Sequence, residues 1–177
     1  MSVTVRPAAF IDRHPLERLC AALLEEHQAR FPDAYPWLPP GRAAALYAEE
    51  WTQRLGRSDP ACMIWLAADH VQPVGFIVAE ATTRSVGQPR QVAFAEWWYV
   101  APDLRGRGVG RALEHALVDD CRRLGLSHVE CQSVPSDVQW ARRGWQKTVV
   151  RYCRSVEAFA GDLAIAERGH EAEEPIA

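Results

Sequence analysis

The chain reads as an α/β (α+β) protein with a mixed, mostly antiparallel central sheet flanked by helices, and three observations predict this. Apolar residues recur at three-and-four spacing in three segments, the mark of amphipathic helices, while β-branched and aromatic runs between them read as strands. Two such runs, 63–68 and 74–81, are separated by Asp69-His-Val-Gln-Pro73, a hairpin-length connection, so that pair is antiparallel. A length of 177 residues with 48% hydrophobic and 24% charged content suits one globular core.

Each element has its own signal. Residues 3–6 form a short strand that Pro7 ends, and Leu16, Leu19, Cys20, Leu23 and His27 set the inner stripe of a helix with Pro15 in its first turn. Pro32, Pro36, Pro39 and Pro40 stop that helix, and a second fits 42–55, with Tyr47, Trp51 and Leu55 as its apolar side. After the hairpin a polar stretch, 82–91, leads to a third strand of that group at 92–100. A helix starts near Gly108, runs through Val109, Leu113, Ala116, Leu117, Cys121 and Leu124, and is closed by Gly125. A strand at 128–131, a short helix at 136–143 capped by Ser136 or Asp137, and a final strand at 148–156 complete a domain spanning 1–156. From Glu157 onward six acidic residues face Arg168, so 157–177 is expected to be an acidic, frayed tail.

Composition narrows the function. Twenty Lys+Arg against twenty-three Asp+Glu give a net charge of -3, which argues against nucleic acid and anionic lipid as partners. The longest strongly apolar stretch, 61–68, is far short of the roughly 20 residues a spanning helix needs, and the first residues lack the pattern of a secretory signal. A cytoplasmic protein is expected. Cys20, Cys62, Cys121, Cys131 and Cys153 show no CxxC spacing and are read as reduced, small apolar residues. His14, His27, His70, His115, His128 and His170 show no ligand spacing, so no metal is expected.

The informative stretch runs from Trp98 to Leu113. A strand ends at Val100, a loop carrying Arg105, Gly106, Arg107, Gly108 and Gly110 follows, and a helix begins. The first turn of a helix exposes unpaired N–H groups at the positive end of its dipole, and glycines let a phosphate approach them. Arg105, Arg107 and Arg111 add charge. The ATP-binding loop is excluded because Gly110 is followed by Arg111-Ala112 rather than Lys-Ser/Thr. A dinucleotide fingerprint fits poorly: Leu113 stands where its last glycine would be, and the antiparallel hairpin contradicts a parallel sheet.

The remaining pattern, Arg105-x-x-Gly108-x-Gly110 preceded by Val100-x-Pro102, resembles the acetyl-CoA motif of the GNAT N-acetyltransferase superfamily. The resemblance implies the GNAT fold, with acetyl-CoA as cosubstrate and a strand that splays from its neighbour to admit the pantetheine arm. It places Trp98, Tyr99 and Val100 along pantetheine, and Arg105, Gly106, Arg107, Gly108, Val109, Gly110 and Arg111 around the diphosphate. Gly144-Trp145 looks like the family's Gly-Phe. Trp140 stands where many members have a tyrosine that protonates the departing thiolate, and the segment Ser133 to Ser136 replaces a frequent asparagine. Members are often homodimers, and a homodimer is open here.

A transferase must take a proton from the acceptor amine. Glu96 is the candidate base: strand alternation puts it on one face with Phe94, Trp98 and Val100. A half-exposed carboxylate paired to an arginine is the plainer reading. Tyr99 and Tyr152 are fallback acids for the thiolate, or packed strand aromatics. The segment 93–102 looks more like the aminoglycoside 6'-N-acetyltransferase branch than like protein-acetylating members. Glu49 and Glu50 favour a small cationic amine, polyamine or amino sugar, with Trp37, Tyr47 and Trp51 either walling its pocket or packing the core. A peptide amine as acceptor, or a CoA-binding sensor without turnover, are the alternatives.

Overall fold

The computed structural model describes residues 3–30, 32, 38–84 and 90–131. Strand β1 (Val3–Pro7) leads through a 3-10 turn at Phe10–Asp12 into α1 (Arg13–Arg30) and α2 (Pro40–Gly56). The strands β2 (Cys62–Asp69), β3 (Gln72–Arg84) and β4 (Arg90–Val100) follow, then a 3-10 turn at Pro102–Leu104, α3 (Val109–Arg123) and β5 (Val129–Cys131). The expected helix at 136–143, strand at 148–156 and tail at 157–177 lie outside the described residues, as do Trp37, Ser133, Ser136, Trp140, Gly144, Trp145, Tyr152, Cys153 and His170.

The sheet runs β1-β2-β3-β4-β5 in space. Its first four strands are antiparallel, and β5 joins β4 in parallel from Ala93↔Val129 to Ala95↔Cys131. A parallel pair needs a crossover, which α3 supplies. The expected divergence of β4 from β5 beyond Cys131 involves residues outside those described. The hairpins are longer than the apolar pattern suggests. The pairing of β3 with β4 continues to Arg84↔Arg90, so Thr82, Thr83 and Gln91 are strand rather than loop. Backbone pairing requires no apolar side chain where a ribbon projects into water.

Helices cover both faces. On one, Leu16, Leu19, Cys20, Leu23 and Leu24 of α1 pack with Ala44, Ala48 and Trp51 of α2 against Ile64, Leu66, Phe76, Val78 and Tyr99. On the other, Val109, Leu113, Leu117 and Cys121 of α3 cover Met63, Ala67, Ile77, Ala79, Ala93 and Ala95. Each fully buried Leu, Ile or Phe contributes about 1.5–3 kcal/mol. The buried stripe of α2 is Ala44, Ala48, Trp51 and Thr52, so the expected Tyr47, Trp51, Leu55 line is turned part-way toward solvent. Small alanines let α1 approach closely, which displaces the aromatic edge outward. Burial pushes the Cys20 thiol up to about 12 and that of Cys62 to about 11, so both stay protonated at neutral pH. Among the described residues no helix is long and apolar enough to cross a membrane.

An ion pair between an exposed arginine and a buried aspartate ties β1 to the 3-10 turn that precedes α1. Asp12, 4% exposed, accepts from Arg6 Nη1 and Nη2, both at 2.7 Å, and from the Ala9 N–H at 2.8 Å. Those donors hold its carboxyl below the usual carboxylate range, the Arg6 bonds most of all. A lowered folded-state pKa gives stability that is present above the unfolded-state value and is lost as pH falls through the folded one. Asp12→Asn should therefore lower unfolding stability by about 2–3 kcal/mol at pH 7 and progressively less below pH ~4, measured by urea denaturation. Equal loss at pH 7 and pH 3 would contradict this origin.

Candidate functional site

The end of β4, the turn after it and the start of α3 form one shaped segment. Ala101 N–H donates to Val74 O at 2.8 Å, Leu104 N–H to Ala101 O at 2.9 Å, and the Leu104 side chain is buried in the α3-side core. The chain then passes through Gly106, φ 76, and Gly108, φ 87, left-handed conformations that glycine adopts without a Cβ penalty. Gly108 is the N-cap of α3 and offers no side-chain cap, while Ala112 N–H bonds Gly108 O at 3.0 Å. Among the described residues no side chain caps the amides of Val109, Gly110 and Arg111, which stand at the positive end of a 15-residue helix. A Cβ added at Gly110 would touch Val100 Cγ2 at 3.8 Å and Trp98 Nε1 at 3.9 Å, so the helix start lies directly over the end of the strand. Beside it a groove of about 400 Å³ is lined by Val3, Arg107, Gly108, Val109 and Ala112. The sequence-predicted loop residues are thus brought together, with Arg107 lining the groove and both Arg107 and Arg111 exposed.

Arg105 is placed differently from its two neighbours. Its guanidinium grips Glu26 of α1 through Nη2, at 2.8 and 2.7 Å, and its Nε donates to Val100 O at 2.9 Å. Its Cζ lies 5.6 Å from the centroid of the Tyr99 ring. Tyr99 is 5% exposed, packs near Phe76, and has its hydroxyl pKa raised by burial first and by Glu26 second. Tyr152, the other candidate acid, is outside the described residues.

Glu96 faces the opposite way from the expected one. Pairing between β3 and β4 slips at Val78↔Trp97 and Ala79↔Ala95, which makes Glu96 the extra residue of a bulge. Ala93 and Ala95 point to α3; after the bulge Trp97 and Tyr99 join the α1–α2 side, and Trp98 and Val100 return to α3. Simple alternation across the bulge put Glu96 with Trp98 and Val100, and the extra residue breaks it. Glu96 instead looks at α2 and β3. Partial burial raises its pKa, Glu50 and Glu80 raise it further, and Trp97 and Arg54 oppose them. Arg54 is itself bound to Asp59 at 2.9 Å and to Glu80 at 3.2 Å.

Aromatic rings wall this second face. Tyr47 lies 4.6 Å from Trp97 between ring centroids and 5.8 Å from Trp51. Trp97 Nε1 is buried, faces the Glu96 carboxylate closely enough to favour its charged form, and has no partner within hydrogen-bond distance among the described residues. Of the two acids noticed on α2, Glu49 is taken by Arg13 at 3.2 Å, and Glu50 is the one that Glu96 senses. Sequence reasoning missed Glu80, Arg54 and Trp97. Glu80 had a signal, because it continues the face of Phe76 and Val78 with a charge where the strand pattern calls for an apolar side chain. A second depression, of about 520 Å³ between α1 and the β2–β3 turn, includes Arg18, His70, Tyr99 and Leu104 but neither Glu96 nor the helix start.

Comparison with known proteins bears on the family and the fold. The model of the acetyltransferase (GNAT) family matches residues 17–148. An aminoglycoside N(6')-acetyltransferase type 1 of Stenotrophomonas maltophilia is 37% identical over 93 residues, 51% of this chain and 60% of that protein. The match therefore spans less than two thirds of that relative. Among solved structures, a variant of the BH1408 protein from Bacillus halodurans superposes with a TM-score of 0.72 at 14% identity, covering 86% of this chain and 99% of that one. The integron cassette protein HFX_CASS3 from the mobile metagenome of Cole Harbour Salt Marsh gives 0.66 at 22%, covering 86% and 90%. An aminoglycoside acetyltransferase, meta-AAC0020, from an uncultured soil metagenomic sample gives 0.61 at 15%, covering 87% and 96%. At these identities the structures share the fold.

The carboxylate environment is open to direct test. In an NMR titration Glu96 should ionise above the ordinary glutamate value of about 4.3, Glu80→Gln should bring its midpoint down, and Arg54→Gln should move it up. A midpoint unmoved by either substitution would mean that neither residue faces Glu96.

Proposed function

The chain belongs to the acetyltransferase (GNAT) family, and we propose that it moves the acetyl group of acetyl-CoA to a primary amine of a small cationic molecule, of polyamine or amino-sugar type. The observation that carries this reading is that one strand joins an anion-suited helix start to an acidic bulge. β4 ends in an uncapped, glycine-lined helix start and bears at its bulge a carboxylate of raised pKa turned to the other face.

The residues present fit the coenzyme. The amides of Gly106, Gly108, Val109, Gly110 and Arg111, with the side chains of Arg107 and Arg111, would hold the diphosphate. Trp98 and Val100 would line the pantetheine arm with their side chains and Tyr99 with its main chain. The bound coenzyme supplies an acyl thioester. Glu96 then takes a proton from the acceptor ammonium, directly or through water, and frees the nitrogen lone pair for the bond to the acyl carbon. As the carbon–sulfur bond breaks, a thiolate leaves; a thiol with a pKa in the region of 8.5 needs no acid to do so. The second nitrogen proton passes to that thiolate or to solvent, which balances the reaction.

Support for a cationic acceptor comes from charge and from the relative. Glu50 and Glu80 add to Glu96 on a face walled by Tyr47 and Trp97, which suits a molecule carrying several ammonium groups. The partial relative in Stenotrophomonas maltophilia carries the name of an aminoglycoside acetyltransferase.

Thiol release from acetyl-CoA, followed with a panel of polyamines, amino sugars and lysine peptides, tests the proposal. Turnover is expected with the small polycations. Turnover with peptides alone would reject the acceptor class, and binding without thiol release would make the protein a sensor. Glu96→Gln should lower kcat by about 100-fold or more at pH 7 while leaving CoA affinity within about twofold. Because the base works ionised and its pKa is raised, kcat/KM should fall as pH drops through a midpoint above the usual carboxylate range. An unchanged rate in Glu96→Gln removes it from the mechanism.

A further inference from the structure

We infer that Glu26 of α1 is a positioning residue for the coenzyme, and that Arg105 acts on the coenzyme loop through Glu26 rather than as a diphosphate ligand. This rests on the proposed coenzyme reading. The two residues are 79 positions apart, yet the Glu26 carboxylate takes Arg105 Nη2 on both oxygens, at 2.8 and 2.7 Å. The same guanidinium uses Nε on the carbonyl of Val100, the last residue of β4, at 2.9 Å, and lies over the Tyr99 ring. One side chain thus ties the strand end, α1 and an aromatic ring together immediately before Gly106.

That position decides what the clamp can do. Gly106 and Gly108 are conformationally free residues, so the path of the loop is set by what is fixed on either side of them. On the far side α3 is fixed by Val109 and Leu113 in the core, and on the near side Leu104 is buried. Arg105 is the last anchored residue before the turn. A planar fork that bonds a carboxylate and a carbonyl at once fixes orientation as well as distance, which a lysine cannot reproduce. The side chains are 48% and 38% exposed, so an isolated pair here would count for little; the three simultaneous contacts of Arg105 are what give it hold.

The clamp and a direct contact predict opposite signs for Glu26. Replacing Glu26 by glutamine removes a negative charge near an anionic ligand, so electrostatics alone would tighten binding. If Glu26 positions the loop, binding weakens instead. CoA affinity measured by calorimetry on the full chain, with Glu26→Gln, Arg105→Gln, Arg105→Lys and the double variant Glu26→Gln/Arg105→Gln, separates the cases. The expected result is a loss of about five- to tenfold in each single variant, Arg105→Lys included, and no greater loss in the double variant. KM for acetyl-CoA should rise by the same factor while kcat and KM for the amine stay within about twofold. In the ligand-free protein the amide signals of Gly106 and Gly108 should shift in Glu26→Gln and in Arg105→Lys alike, a readout independent of turnover. Tighter or unchanged binding in Glu26→Gln, full affinity in Arg105→Lys, or additive losses would overturn the inference. A wild-type protein that binds no CoA would overturn the coenzyme reading itself.

Discussion

A β-strand shows alternate side chains to opposite faces, and β4 has to serve both faces with residues of different chemistry. The extra residue at Glu96 resolves this. Before the bulge, Ala93 and Ala95 give α3 a flat, small-residue floor. After it, Trp98 and Val100 continue that floor up to the start of α3, while Trp97 and Tyr99 belong to the α1–α2 core. Glu96 and Trp97 thereby sit consecutively on the same side, beside Tyr47, Glu50 and Glu80. Without the bulge, an odd number of residues would throw either the glutamate or the tryptophan onto the wrong face, and the anion cradle would lose its register with the acidic face.

The two ends of this arrangement use electrostatics in opposite ways. At the helix start, the main-chain amides and nearby arginines make a local positive region in a chain whose net charge is -3, so on the proposed reading any attraction of an anion is local rather than global. At the bulge, Glu96 feels the charges of Glu50 and Glu80, and Arg54, which is paired to Glu80 and to Asp59, opposes them. Partial burial first, and repulsion from Glu50 and Glu80 second, keep the Glu96 proton affinity up, while Trp97 and Arg54 pull it down. A cationic acceptor would add to that arginine and lower the proton affinity when it binds.

Much of the fold was legible because its signals are local. Hairpin spacing at 69–73, proline breaks after α1 and the periodic stripe of α3 each report the backbone within a few residues. The glycine loop was equally legible, since Gly106 and Gly108 stand where the backbone takes positive φ. What sequence could not give was anything that depends on distant partners. A bulge leaves no residue signature, so Glu96 was put on the wrong face. The hold on Arg105 comes from a glutamate 79 positions away. Glu49 and Glu50 are adjacent in sequence, and only helix phase against Arg13 and Glu96 tells them apart. The outward turn of the α2 stripe depends on α1 packing against Ala44 and Ala48.

The central claim is that an anionic coenzyme seats on the amides where β4 hands over to α3. Titrating isotope-labelled protein with CoA and following the backbone amides reads this residue by residue. The account predicts saturable shifts concentrated at 106–111 and along 97–100, with the amides of α2 around Glu50 nearly still. An absence of saturable shifts at millimolar CoA, or saturable shifts confined to other parts of the sheet, would contradict it.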